Sequence, residues 1–147
     1  MLKLFENEIL HCSFISWVVA QGIKVIIHWL IKHDLDWKRM FGMGGMPSSH
    51  TAFFVSVAMM VAFREGMNST SFALAFAVTT VVIYDAMGVR YQTGKQSKVI
   101  NQILREMLLE GKKLTEEKML ELVGHTPLEV LFGAVLGVIV PIIYVSL

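Results

Sequence analysis

Apolar residues gather along this chain in four long stretches, separated by short polar or glycine-rich joints. A bilayer crossing takes roughly 17–25 predominantly apolar residues as helix. The first stretch runs from about Ile9 to Ile31 and carries Gln21, Lys24 and His28. The second, from about Ser49 to Phe63, is short, bounded by Gly42-Met-Gly-Gly-Met-Pro-Ser-Ser and by Arg64-Glu65. The third covers Ser71 to Val89 and the fourth Pro127 to Leu147. Between the last two, from Arg90 to Gly124, the pattern changes. Val99, Ile100, Ile103, Leu104, Met107 and Leu108 recur at helical spacing, with Lys98, Asn101, Gln102, Arg105 and Glu106 in the gaps. Gly111 ends that helix. Thr115 then reads as an N-cap, with Glu116 and Glu117 in the first turn and Gly124 as the stop. These are two short amphipathic helices that lie on the membrane surface or pack as a cap on the bundle. The fold class expected is all-α: an integral membrane helical bundle with about four transmembrane helices plus short amphipathic surface helices. It is expected to form a single membrane-embedded domain over residues 1–147.

Composition agrees with that pattern. Of 147 residues, 54% are hydrophobic and only 17% charged, against about 25% charged in an ordinary soluble domain. The mean hydropathy is +0.58. A net charge of +1 excludes an electrostatic nucleic-acid binder. One cysteine, Cys12, excludes an intrachain disulfide and a cysteine-based zinc site, and reads as an inert apolar filler. The amino terminus makes a poor signal peptide, because Glu6 and Glu8 stand where positive charge is expected. Four spans fix the topology up to inversion. The face where the first span ends carries Lys32, Lys38, Arg39, Arg90, Lys95, Lys98, Arg105, Lys112, Lys113 and Lys118, and the opposite face only Lys3 and Arg64. That asymmetry makes the basic face cytoplasmic, in an integral membrane protein of a bacterial-type cell membrane.

The same face collects the chemistry. His50 begins the second span, His125 precedes the fourth, and Arg90 and Lys95 follow the third. Two imidazoles and several cations are the groups needed to hold a phosphate and attack it. In Gly44-Gly-Met-Pro-Ser-Ser-His-Thr51, Ser48 and Ser49 stand at a helix N-terminus, where free N–H groups and the helix dipole favour an anion. An ordinary serine N-cap explains the serines but not His50. In Gly124-His-Thr-Pro-Leu-Glu129, His125 and Glu129 are four apart and share a helix face. A carboxylate beside an imidazole fixes its tautomer and raises its basicity. Thr126-x-x-Glu129 with Pro127 also spells a capping box, which explains three residues and leaves His125 over.

These blocks bring a family into view. Pro47-Ser48-Ser49-His50 resembles the Pro-Ser-Gly-His element of the type-2 phosphatidic acid phosphatase and vanadium haloperoxidase superfamily. His125-x-x-x-Glu129 resembles its later His-x-x-x-Asp element. Together with Asp85-Ala-Met-Gly-Val-Arg90, Gly94-Lys-Gln96 and Asn101-Gln102, the blocks look like the small divergent branch of that superfamily, over roughly Gly42 to Gly137. The resemblance implies a phosphatase in which His125 is the nucleophile, Glu129 orients it, and His50 protonates the leaving oxygen. Ser48 and Ser49 would hold phosphate oxygens. The superfamily's early Lys…Arg-Pro element has no clear counterpart, with Lys38 and Arg39 the nearest residues. Its Ser-Arg pair is replaced by Lys118 and Met119, so Arg90 and Lys95 are the substitutes expected to bind substrate. Of these, Arg90 has the planar fork that suits a phosphate. The implied substrate is a lipid or isoprenoid phosphate, hydrolysed without metal or other cofactor at the cytoplasmic face. The rival readings are a non-catalytic lipid-phosphate binder or scaffold, a small anion transporter and, more remotely, a vanadium haloperoxidase.

Some polar residues lie within the spans. A lone charge near mid-bilayer costs ~2.5–3.5 kcal/mol on insertion scales, so Lys24 and Asp85 should face the bundle. Asp85 is expected beside the substrate site, paired with Arg90, Lys24 or His28. Gln21, Lys24 and His28 share one helix face and form a polar stripe toward the site. Gly133-Ala-Val-Leu-Gly137 allows close backbone approach, within the bundle or across a homodimer.

Overall fold

The computed structural model describes residues 6–33, 45–109 and 124–147, which form five helices: α1 Glu8–Lys32, α2 Ser49–Glu65, α3 Thr70–Met87, α4 Val89–Leu109 and α5 Pro127–Ser146. Four of them start at a polar cap. The Asn7 side chain accepts from the N–H groups of Ile9 and Leu10, Ser48 from Thr51, Ser69 from Phe72 and Thr126 from Glu129. Each satisfies backbone donors that the first turn of the helix leaves open. Among the described residues there is no strand.

The molecule is turned inside out relative to a soluble protein. Large apolar side chains such as Phe14, Ile26, Leu74, Phe76, Leu131 and Ile139 point outward, whereas Ser13, Ser16, Gln21, Lys24, Ser49, Thr51 and Ser56 are buried. This is the arrangement lipid imposes: tails solvate the apolar exterior, and small polar side chains join helices by packing and hydrogen bonds. Stretches within Glu8–Leu30, Thr70–Met107 and Pro127–Ser146 are long and apolar enough to cross a membrane. With 17 residues, α2 lies at the short end of the spanning range. It is the helix around which α1, α3 and α5 pack.

Glycine makes the tightest of these contacts. A Cβ on Gly133 would sit 2.4 Å from the Ser48 carbonyl oxygen, and one on Gly137 would sit 2.7 Å from that of Ala52. The Gly133–Gly137 pair therefore works inside the bundle, against α2. The Ser48 N–H donates to the Glu129 carbonyl at 2.9 Å, so the first turns of α2 and α5 are joined directly. On the α1 side, Ser16 Oγ donates to Ser56 Oγ at 2.9 Å, with Cys12 buried beside it.

The third apolar stretch ends two residues earlier than the sequence pattern indicates. α3 stops at Met87, Gly88 breaks the dihedral run, and α4 begins at Val89. On α4, Gly94, Ser97 and Asn101 are buried, while Val99, Ile100 and Ile103 are exposed. The expected second amphipathic helix, from Thr115, lies outside the described residues.

Candidate functional site

At the end of the bundle where α2 and α5 begin, the two helices and the last turns of α3 enclose a cavity of about 330 Å³. Its polar wall is His50, Asp85, Arg90 and His125. His50 is the second residue of α2 and is exposed at the mouth, whereas His125, just before α5, is only 5% exposed. The two rings, 75 positions apart in sequence, thus face one space. One helical turn deeper the wall becomes apolar, with Phe54 from α2 and Val81 and Val82 from α3. Val81 is 67% exposed on its α3 surface, so this deeper part is continuous with the lipid-facing side.

His125 is held from two directions. Its backbone N–H donates to the Ala86 carbonyl at 3.0 Å, which fixes it to the end of α3. Its Nδ1 lies 3.0 Å from Glu129 Oε2. The same oxygen accepts the Thr126 N–H at 3.1 Å, while Thr126 Oγ1 accepts the Glu129 N–H at 3.4 Å. One carboxylate oxygen therefore closes the capping box and orients the imidazole. The two explanations the sequence leaves open for Glu129 hold together. With Nδ1 donating to the carboxylate, Nε2 is the nitrogen left for chemistry.

Gly124 makes this placement sterically feasible. Its φ is +87°, and a Cβ there would come within 2.3 Å of Tyr91 N and 2.5 Å of the Arg90 carbonyl carbon. Only glycine lets the chain pass so close to the α3–α4 junction with that backbone angle.

The cation at the cavity is Arg90. Its Nε donates to Asp85 Oδ2 at 2.5 Å, so Asp85 meets the first of its expected partners rather than Lys24 or His28. The pair occupies one edge of the guanidinium, and the terminal nitrogens remain for another anion. Lys95 behaves differently. Its Nζ stacks 4.5 Å from the centroid of the Tyr91 ring, and the residue does not line the cavity. Lys38 and Arg39 lie outside the described residues.

Ser48 and Ser49 are buried at the start of α2, behind His50 rather than on the cavity wall. Ser48 Oγ accepts from the Thr51 hydroxyl at 2.9 Å and from the Thr51 N–H at 3.4 Å. Ser49 Oγ accepts from Lys24 Nζ at 3.1 Å. Lys24 is 6% exposed, and Gln21, one turn before it on α1, is also 6% exposed, with its Oε1 lacking a hydrogen-bond partner among the described residues. Of the polar stripe expected on α1, Lys24 alone is seen to reach these serines, and neither Gln21 nor His28 lines the cavity. The residues that pattern reading passed over are Phe54, Val81 and Val82. They sit one turn from His50 and Asp85, and their only signal was that spacing.

Among the described residues, no three His, Cys, Asp or Glu side chains gather closely enough to hold a metal ion. No solved structure matches the chain. It is 32% identical over 152 residues to the uncharacterized membrane protein YuiD of Bacillus subtilis (strain 168), covering 97% of this chain and 96% of that one. The sequence profile of the Divergent PAP2 family matches residues 5–140. With its blocks of histidine, serine and arginine converging on one end of a membrane bundle, the chain belongs to the Divergent PAP2 family.

Proposed function

We propose that this protein is a membrane-embedded, metal-independent phosphatase that hydrolyses a lipid or isoprenoid phosphate through a phosphohistidine. The observation that carries this reading is the cavity with two imidazoles, one of them locked to a carboxylate through Nδ1, beside a guanidinium. Phosphoryl transfer is mostly positioning and charge neutralisation, and these groups supply both.

In the proposed sequence, the terminal nitrogens of Arg90 hold the phosphoryl oxygens, with the positive end of the α2 dipole facing them. His125 Nε2 attacks phosphorus, a P–N bond forms and the P–O bond to the alcohol breaks. Protonated His50 gives its proton to the departing alkoxide, so the alcohol leaves neutral. His50, now neutral, takes a proton from water; the resulting hydroxide oxygen attacks phosphorus and the P–N bond breaks. Phosphate is released with His125 restored. Glu129 holds the Nδ1 proton throughout and stabilises the positive imidazole of the intermediate. Asp85 keeps Arg90 turned toward the cavity.

The lipid character of the substrate rests on the second wall. A charged head beside Arg90 and His125 would place the first carbons of its tail against Phe54, Val81 and Val82, continuous with the bilayer. The excess of Lys and Arg on this face in the sequence supports a site at the cytoplasmic leaflet.

The reading is tested with purified protein in detergent, given phosphatidate, phosphatidylglycerol phosphate and prenyl phosphates in the presence of chelator. Phosphate release is expected from at least one lipid and is abolished by His125→Ala and by His50→Ala. A second reading, a lipid-phosphate binder without turnover, draws support from Lys95 being turned away from the cavity. Binding of those lipids with no release from any of them would select it.

A further inference from the structure

Lys24 is the buried charge that the proposed reaction leaves unused. It projects from α1 toward the start of α2, is 6% exposed, and is in no ion pair among the described residues. Its bond is to Ser49 Oγ, at 3.1 Å. A buried ammonium is kept in such a place only when it faces opposite charge or several acceptors.

The chemistry of the bond is directional. An ammonium can only donate, so Ser49 Oγ accepts from Lys24 and its own proton is left to donate elsewhere. Ser48 is set up in the same way, since its oxygen already accepts twice from Thr51. Both serines lie behind His50, at a helix N-terminus whose dipole also favours negative charge, and the Lys24 ammonium is held there by Ser49. We propose that Lys24 is a positioning residue of the phosphate site, which braces the start of α2 through Ser49 behind His50 and brings a second positive charge to balance a phosphate dianion together with Arg90.

This inference rests on the phosphatase reading, and the geometry gives it a distinct signature. The Lys24 side chain is approximated in length by Met, which keeps the packing and removes the charge. Lys24→Met is therefore expected to keep the thermal midpoint at or above that of the unaltered protein. Its KM for lipid phosphate should rise at least tenfold, and orthophosphate and orthovanadate should no longer raise its midpoint. Lys24→Arg should recover part of the KM loss, and a role in packing alone predicts the reverse order of the two variants. Because Lys24 acts through Ser49, the effects of Lys24→Met and Ser49→Ala on KM should overlap. The double variant is expected to be no worse than about twofold beyond the weaker single one.

The outcomes separate cleanly. A wild-type protein that hydrolyses lipid phosphate, with Lys24→Met matching it in KM and in anion-dependent midpoint, overturns the role of Lys24 and leaves the phosphatase reading standing. Single effects that multiply in the double variant overturn the route through Ser49. A wild-type protein that neither releases phosphate from any lipid nor gains stability from either anion overturns the phosphatase reading, and this inference with it.

Discussion

Replacing Glu129 by Gln separates two duties that one oxygen performs. Oε2 accepts from both His125 Nδ1, at 3.0 Å, and the Thr126 N–H, at 3.1 Å. The Gln amide oxygen fits the same position and can keep both bonds, so the capping geometry survives while the charge is lost. For stability the loss is the interaction of a carboxylate with the helix N-terminus, about 0.3–1 kcal/mol. For turnover it is larger. Two unit charges about 4 Å apart attract by about 4 kcal/mol at an effective dielectric constant of about 20. That is the scale of the support Glu129 would give a positive, phosphorylated His125 under the proposed mechanism. Partial exposure of the carboxylate trims it, leaving an expected fall in kcat of about 10²–10³ at 1.36 kcal/mol per decade. Glu129→Ala is the control: it also removes the cap, about 1 kcal/mol more. Phosphate release in a single-turnover assay, read beside the thermal midpoint in detergent, distinguishes the two. If Glu129→Gln kept more than a third of wild-type turnover, or melted as early as Glu129→Ala, the double duty of the oxygen would be wrong.

Other outcomes follow from the same geometry. Asp85→Asn frees one edge of Arg90 and should lower turnover about tenfold, less than the about 100-fold a 1 Å misplacement can cost. The pair is half exposed, so the midpoint should move by under about 1 kcal/mol; unchanged turnover disposes of a positioning role for Asp85. Gly124→Ala places a Cβ against the backbone of Arg90 and Tyr91, at a positive φ. It should cost about 1–3 kcal/mol from the backbone angle alone and abolish turnover, and wild-type behaviour in both assays contradicts the close passage. Gly133→Ala meets the Ser48 carbonyl and should destabilise by about 1–3 kcal/mol; an unchanged melting curve means that α2 and α5 stand farther apart. Lys95→Ala loses only an exposed contact with Tyr91, worth about 0.5–1 kcal/mol, and should leave turnover within about twofold. A hundredfold loss would restore Lys95 to the site.

Much of this site is legible in the sequence because its parts are local or fixed by threading. The capping box and the His125–Glu129 pair need only the four-residue spacing of a helix. Counting the crossings puts His50 and His125 at one face. The Asp85–Arg90 pair spans a single helix junction. Lys95 shows where local reading misleads. Five residues beyond Arg90 on one helix, it is rotated by roughly 140°, so both side chains cannot face the same cavity. Lys24 was visible as a charge within a span, but its contact with Ser49 depends on the register of α1 against α2, which no local pattern encodes. Phe54, Val81 and Val82 look like any other lipid-facing residues until the gap between α2 and α3 is known. The small-residue spacing of Gly133 and Gly137 announced a close neighbour without saying which, and the neighbour is α2.

The close seam between α2 and α5 has a mechanical consequence. Carbonyls pressed against glycines and the Ser48–Glu129 bond make those two helices one stiff body, and both imidazoles ride on it. The guanidinium, in the first turn of α4, is tied to the same body, because the His125 N–H bonds the Ala86 carbonyl of α3 and Gly124 lies against the backbone of Arg90 and Tyr91. Any widening of the gap between α2 and α3 would pull on His125 as well as on Arg90, since both are fastened to the α3–α4 junction. Rings and cation thus share one frame, and the contacts that close the bundle are the same ones that set the spacing of the polar wall.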